Sequence, residues 1–136
     1  MDISGWIDRN ADFTPARTAI RFKGRDLTYA DLADRVARAA GMLAQGLGIG
    51  RGDRIAFLGY NHPELLVLLF ACARMGAMVV PFNWRLAPPE HARMLADAAP
   101  KAFFVEPDFT DQVAAMGDAV AGMQLVALDS TPEDWR

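Results

Sequence analysis

The chain has 136 residues and a mass of 14.9 kDa, the size of one ordinary domain without room for a second large one. Hydrophobic residues at 52% and charged residues at 23% supply material for a core and exclude disorder as the main state. A net charge of −3 and a pI near 5.3 are too acidic for non-specific attraction to nucleic acid or anionic lipid, so no nucleic-acid partner is expected. A lone Cys72 closes no intramolecular disulfide, and one thiol with two distant histidines makes no zinc site. Met1-Asp2-Ile3-Ser4 opens no apolar run, so no secretory signal is expected and the expected location is a reducing cytoplasm.

Residues 19–22 and 26–29 read as two short strands joined at Lys23-Gly24-Arg25, where glycine accepts a positive φ. Thr28 stands three residues before Asp31, an imperfect capping box, and Leu32, Val36, Ala39, Ala40 and Leu43 follow at helical spacing. This predicts an amphipathic helix over 29–45. Alternating glycines at 46, 48, 50 and 52 end it, but the dinucleotide fingerprint G-x-G-x-x-G fails because Arg51 and Asp53 stand where glycine is needed. The order is also wrong, since this loop follows a helix and opens a strand.

From Arg54 the pattern alternates: strand 54–58, helix 63–75, strand 78–82, helix 88–98, strand 102–105, helix 110–121, strand 125–128. Apolar strands separated by helices predict a parallel sheet with right-handed crossovers. The helix starts are marked by Asn61 or His62 before Pro63 and by Pro88-Pro89-Glu90. Helix 63–75 is apolar nearly all round, which predicts burial on most faces, yet a chain of this length is expected not to bury it fully. The apolar stretch Leu65–Phe82 is not expected to span a membrane. An arginine such as Arg74 costs roughly 2.5–3.5 kcal/mol to insert, and Gly76 and Pro81 divide the run.

Two segments, Leu27-Thr28-Tyr29-Ala30-Asp31-Leu32 and Ala73 through Leu86 (A-R-M-G-A-M-V-V-P-F-N-W-R-L), together resemble the adenylate-forming enzymes, specifically the acyl-CoA synthetases. Gly52-Asp53-Arg54-Ile55-Ala56 and Asn61-His62-Pro63-Glu64 fall between them in the family's order, and the resemblance covers roughly residues 6–128. It implies an α/β fold: an N-terminal β-hairpin and amphipathic helix, then a parallel sheet with flanking helices, an incomplete portion of the family's large N-terminal domain. It further implies a ligase in which a carboxylate attacks ATP to give an acyl-adenylate and pyrophosphate, after which the CoA thiol displaces AMP. Such chemistry needs a Ser/Thr/Gly-rich phosphate loop, Mg²⁺ and a lysine. Residues 1–136 contain two lysines, Lys23 and Lys101, and two serines, Ser4 and Ser130, none placed for that work. The resemblance therefore implies an N-terminal segment without the phosphate loop, the C-terminal domain or the catalytic lysine. ATP, Mg²⁺ and CoA belong to the complete enzyme, as do its carboxylic acid and acyl-CoA, and residues 1–136 are expected to be inactive alone.

Arg85 is the candidate binding residue. The P-x-N-x-R-L turn follows a parallel strand, where open α/β sheets place ligands, and in the resembled family the matching arginine can lie near the phosphates of CoA. The competing reading is a solvated arginine. Asn83 is expected to organise the turn, Trp84 to pack, His62 to cap or join a loop, and His91 to sit on the surface. The pairs Asp31/Asp34 and Asp108/Asp111 suit helix N-termini, Cys72 reads as a small buried hydrophobe, and Ala87 cannot cap. The rival to the ligase segment is a stand-alone, non-catalytic binding or interaction module. The ligase-segment reading predicts exposed apolar surface above the roughly 300–600 Å² typical of monomers, and with it self-association, whereas the stand-alone module predicts a soluble, cooperatively unfolding monomer or defined oligomer.

Overall fold

The structure, a computed structural model, describes residues 3–128 and divides into two compact units. The first comprises the chain up to Arg51 with His62–Ala77, and the second Gly52–Asn61 with Met78 onward.

In the first unit, helix α1 (Trp6–Phe13) precedes an antiparallel hairpin, β1 (Thr18–Phe22) and β2 (Arg25–Thr28), and then helix α2 (Tyr29–Gly41). Helix α1 has no counterpart among the sequence expectations, since Ile7 is its one buried residue and its apolar signal is thin. The hairpin turns on Lys23 and Gly24 with φ of 49° and 76°, the paired left-handed residues that match strand twist. The capping box that read as imperfect is complete: Asp31 N–H donates to Thr28 Oγ1 at 3.1 Å, and Thr28 N–H donates to the Asp31 carboxylate at 3.0 Å. These bonds hold the Asp31 carboxyl below its ordinary range. The predicted single helix over 29–45 divides at Gly41 into α2 and a wider π turn, Met42–Gly46, closed by Leu47 N–H donating to Met42 O.

Helix α3 (Pro63–Met75) packs against α2, with Val67, Leu68, Ala71 and Cys72 buried on one helix and Leu32, Val36 and Ala39 on the other. Its burial is one-sided: Leu66 and Leu69 are 42% and 38% exposed. Gly76 ends α3 at φ 74°, where a Cβ would meet the Arg51 side chain at 3.1 Å.

The second unit is built on a parallel sheet of four strands in the order β4 (Met78–Pro81), β3 (Arg54–Leu58), β5 (Ala102–Val105), β6 (Gln124–Ala127). The central strands read as unbroken apolar runs because both of their faces are buried. Ala56, Leu58, Phe103 and Val105 on one face join Phe82, Leu95 from helix α4 (Pro88–Ala98), Val113 from helix α5 (Thr110–Ala115), Phe109 and Met116 in one core. Lys101 Nζ meets the Asp53 carboxylate at 2.8 Å.

Several element boundaries differ from expectation. The helix predicted over 110–121 is broken: α5 stops at Ala115 and Gly117, at φ 57°, starts a separate 3₁₀ turn through Val120. Strands β4 and β6 end at Pro81 and Ala127, one residue earlier than predicted. The polar stretch 129–134 lies outside the described residues. Among the described residues no helix is long and apolar enough to cross a membrane.

Candidate functional site

Strand β3 leads on to β4 at one side of the sheet, while β5 leads to β6 at the other, so the direction of connection reverses between β3 and β5. Open parallel sheets bind ligands outside the carboxyl ends of the strands at such a reversal. Three segments meet there: Gly59-Tyr60 after β3, Asn83 to Leu86 after β4, and Glu106 to Phe109 after β5.

Glu106 joins the first segment to the third. Its carboxylate accepts the Tyr60 N–H at 2.7 Å, and its side chain passes so close to Gly59 that a Cβ there would lie 2.8 Å from Glu106 Cγ. A Cβ at position 59 would therefore push the Glu106 side chain out of this place. Aromatic rings continue the cluster: Tyr60 meets Trp84 edge-on at 5.0 Å between centroids and Phe109 at 4.9 Å. Phe109 is buried, whereas Tyr60 and Trp84 are 43% and 38% exposed.

Asn83 organises the turn that presents Arg85. Its side-chain Oδ1 accepts the Arg85 N–H at 3.1 Å and its carbonyl accepts the Leu86 N–H at 3.1 Å. The Arg85 side chain folds over Trp84, with Cζ 5.0 Å from the ring centroid. The arrangement therefore offers a guanidinium beside partly exposed aromatic faces, suited to an anion carrying a planar group. Trp84 packs on Tyr60, as expected of it, but on a surface rather than in the core.

His91, expected on the surface, is fully buried: its Nε2 lies 2.8 Å from the Asn83 carbonyl and its ring stacks on Phe82. The expectation failed because position in a first helical turn says nothing of what that turn faces. His62 caps α3, its Nδ1 accepting the Glu64 N–H at 3.0 Å, and Phe22 meets its ring edge-on at 5.3 Å. Cys72 is buried, and burial pushes its thiol up to about 11, far from a reactive thiolate. Asp34 pairs with Arg38 along α2, and Asp108 and Asp111 lie exposed at the start of their helical turns. Lys23 sits over Phe22 in the first unit, and Lys101 pairs with Asp53 ahead of β5 in the second. Sequence reasoning missed Tyr60, Glu106 and Phe109, for which only Gly59 and Pro107 were local signals, and it missed Glu64. That carboxyl is 5% exposed, and burial raises it to about 7 against the opposing pull of Arg35.

The model of the AMP-binding enzyme family matches residues 7–135. The chain belongs to that family. It is 52% identical over 135 residues to an indoleacetate–CoA ligase of Aromatoleum aromaticum, a match covering 99% of this chain and 26% of the ligase. It is 41% identical over 136 residues to a feruloyl-CoA synthase of Amycolatopsis, covering 97% of this chain and 28% of the synthase. The chain thus spans about a quarter of the length of the curated relatives it matches. Among solved structures, the N-terminal domain of FACL13 from Mycobacterium tuberculosis superposes with a TM-score of 0.90 at 29% identity, covering all of this chain and 36% of that one. This chain of the AMP-binding enzyme family therefore corresponds to an N-terminal part of the CoA ligases, with their α/β architecture.

Proposed function

We propose that the chain contributes to a carboxylate–CoA ligase, which activates an acid with ATP as an acyl-adenylate and passes the acyl group to the thiol of CoA. The relatives act on indoleacetate and ferulate, so an aromatic acid is the first substrate class to try. The observation that carries this chain's part is the Arg85 guanidinium over Trp84, on a turn outside the carboxyl end of β4. There Arg85 would meet a CoA phosphate and the aromatic faces of Trp84 and Tyr60 would flank the adenine.

The residues described do not fit ATP–Mg²⁺. Among them no group of three or more His, Cys, Asp and Glu side chains could hold a metal ion, and both lysines are engaged elsewhere. No step through ATP or Mg²⁺ is assigned to them, and residues 1–136 alone should give only background ATP–pyrophosphate exchange. Titration of ¹⁵N-labelled chain with CoA should shift amides around Asn83–His91, and Arg85→Ala should weaken binding about tenfold, the loss of one charge-assisted contact. Shifts elsewhere, or an undiminished affinity in Arg85→Ala, would overturn the Arg85 assignment. A folded chain that shows no shift at all favours the stand-alone interaction module.

A further inference from the structure

The turn that carries Arg85 is tied at Asn83, and one of its ties comes from a side chain buried for no other visible return. His91 lies in the first turn of α4, withdrawn from solvent. Its Nε2 is 2.8 Å from the Asn83 carbonyl oxygen, which can only accept, so Nε2 carries the proton and donates. The other ring nitrogen, Nδ1, is buried with no hydrogen-bond partner among the described residues. An orphaned buried nitrogen is a standing cost that leucine would avoid while filling much of the same space against Phe82. What histidine adds at this position is the Nε2–H.

We propose that His91 is the positioning residue of the Asn83–Leu86 turn, fixing by its Nε2–H the carbonyl around which Trp84 and Arg85 are arranged. The bonds from Arg85 N–H and Leu86 N–H to Asn83 are contacts of the turn with itself, which a loose loop also makes transiently. The His91 bond instead fastens the turn to a helix whose Leu95 lies in the core of the second unit. It converts a local turn into a fixed one. The purpose of that fixing, presentation of Arg85 to a CoA phosphate, rests on the function proposed above; the tie itself does not.

The test compares His91→Leu, which keeps apolar bulk and removes the donor, with His91→Gln, whose amide can reach the same carbonyl. Hydrogen exchange at the Arg85 and Leu86 amides is measured in the 136-residue chain, with Phe103 and Phe104 in β5 as the fold control. His91→Leu should exchange about fivefold faster at the two turn amides with β5 unchanged, and His91→Gln should stay within about twofold of the parent, the scale of one hydrogen bond. Unchanged exchange in His91→Leu, or equal acceleration in both variants, overturns the proposal. Should His91→Leu lose β5 protection as well, the ¹⁵N shifts of His91 in the parent chain decide: a protonated Nε2 with a bare Nδ1 supports the tie, and the reverse tautomer refutes it. Adenosine 3′,5′-bisphosphate is titrated in parallel. If the parent chain binds none, the CoA assignment falls while the exchange data still decide the role of His91.

Discussion

Helices α3 and α4 both begin with proline, yet their first turns are closed in opposite ways. At α3, His62 stands before Pro63, its ring accepts the Glu64 N–H, and the Glu64 side chain is buried. At α4, Ala87 offers no side-chain acceptor, and the Glu90 carboxylate reaches back to accept the Ala87 N–H at 2.7 Å in the open. The same residue type three or fewer positions inside a helix is thus a solvated clamp in one place and a buried acid in the other. The helix dipole favours a carboxylate at either start, but the dipole is worth about 0.3–1 kcal/mol at an exposed end. Burial of a charge costs several times that, so environment and not helix position sets the behaviour of the acid.

The largest expected effect lies at Glu64. Its carboxyl is raised from an ordinary 4.5 to about 7 by burial, with Arg35 pulling the other way. The folded state therefore holds the proton more tightly than the unfolded chain. The stability this gives is complete below pH 4.5 and is lost as pH rises through about 7. A shift of this size corresponds to about 3 kcal/mol lost in full only above neutrality. Glu64→Gln cannot ionise, so it should melt close to the parent chain at pH 4 and well above it at pH 8.5. Thermal melts followed by circular dichroism across that range check it, and a difference that does not grow with pH would show that the carboxyl is not desolvated.

His62 comes next. Removing its ring leaves the Glu64 N–H without its acceptor in a buried place and takes away the edge contact with Phe22. His62→Ala should cost about 1–2 kcal/mol, the range for a lost cap whose orphaned donor cannot reach water. His62→Asn, which caps by the same geometry at shorter reach, should recover most of it. Urea titration of the two variants measures the difference, and equal losses would place the contribution of His62 in ring packing rather than in the cap.

Much of this architecture was legible because it is local or periodic. The hairpin follows from Lys23-Gly24, β3 and β5 from their unbroken apolar runs, and the starts of α3 and α4 from proline at 63 and 88. The same holds for Asn83, whose bonds run two and three residues along the chain. What escaped is held by long-range contacts. Glu106 reaches a backbone amide 46 residues earlier, and nothing beside Glu106 in the sequence marks it for that task. His91 and Glu64 each occupy a first helical turn, a position that suits exposed polar residues equally well, and only the packing of the neighbouring element buries them. Helix α1 escaped for a different reason: it is eight residues long, buries only Ile7 and has no side-chain cap to mark its start.

The smallest effect sharpens the contrast between the two helix starts. Ala87 already has the extended backbone of a capping residue, φ −80° and ψ 157°, so a serine there needs no rearrangement to bring its hydroxyl over the first turn. Ordinarily such a replacement would gain about 1 kcal/mol. Here Pro88 and Pro89 bring no N–H groups, and the first amide available, that of Glu90, already donates to the Ala87 carbonyl at 3.0 Å. A new hydroxyl can only share that donor. Ala87→Ser should therefore stabilise by no more than about 0.5 kcal/mol, half the ordinary gain. A full gain in a urea titration would mean that the Glu90 amide is not committed to Ala87 and that the double-proline start of α4 is looser than its geometry implies.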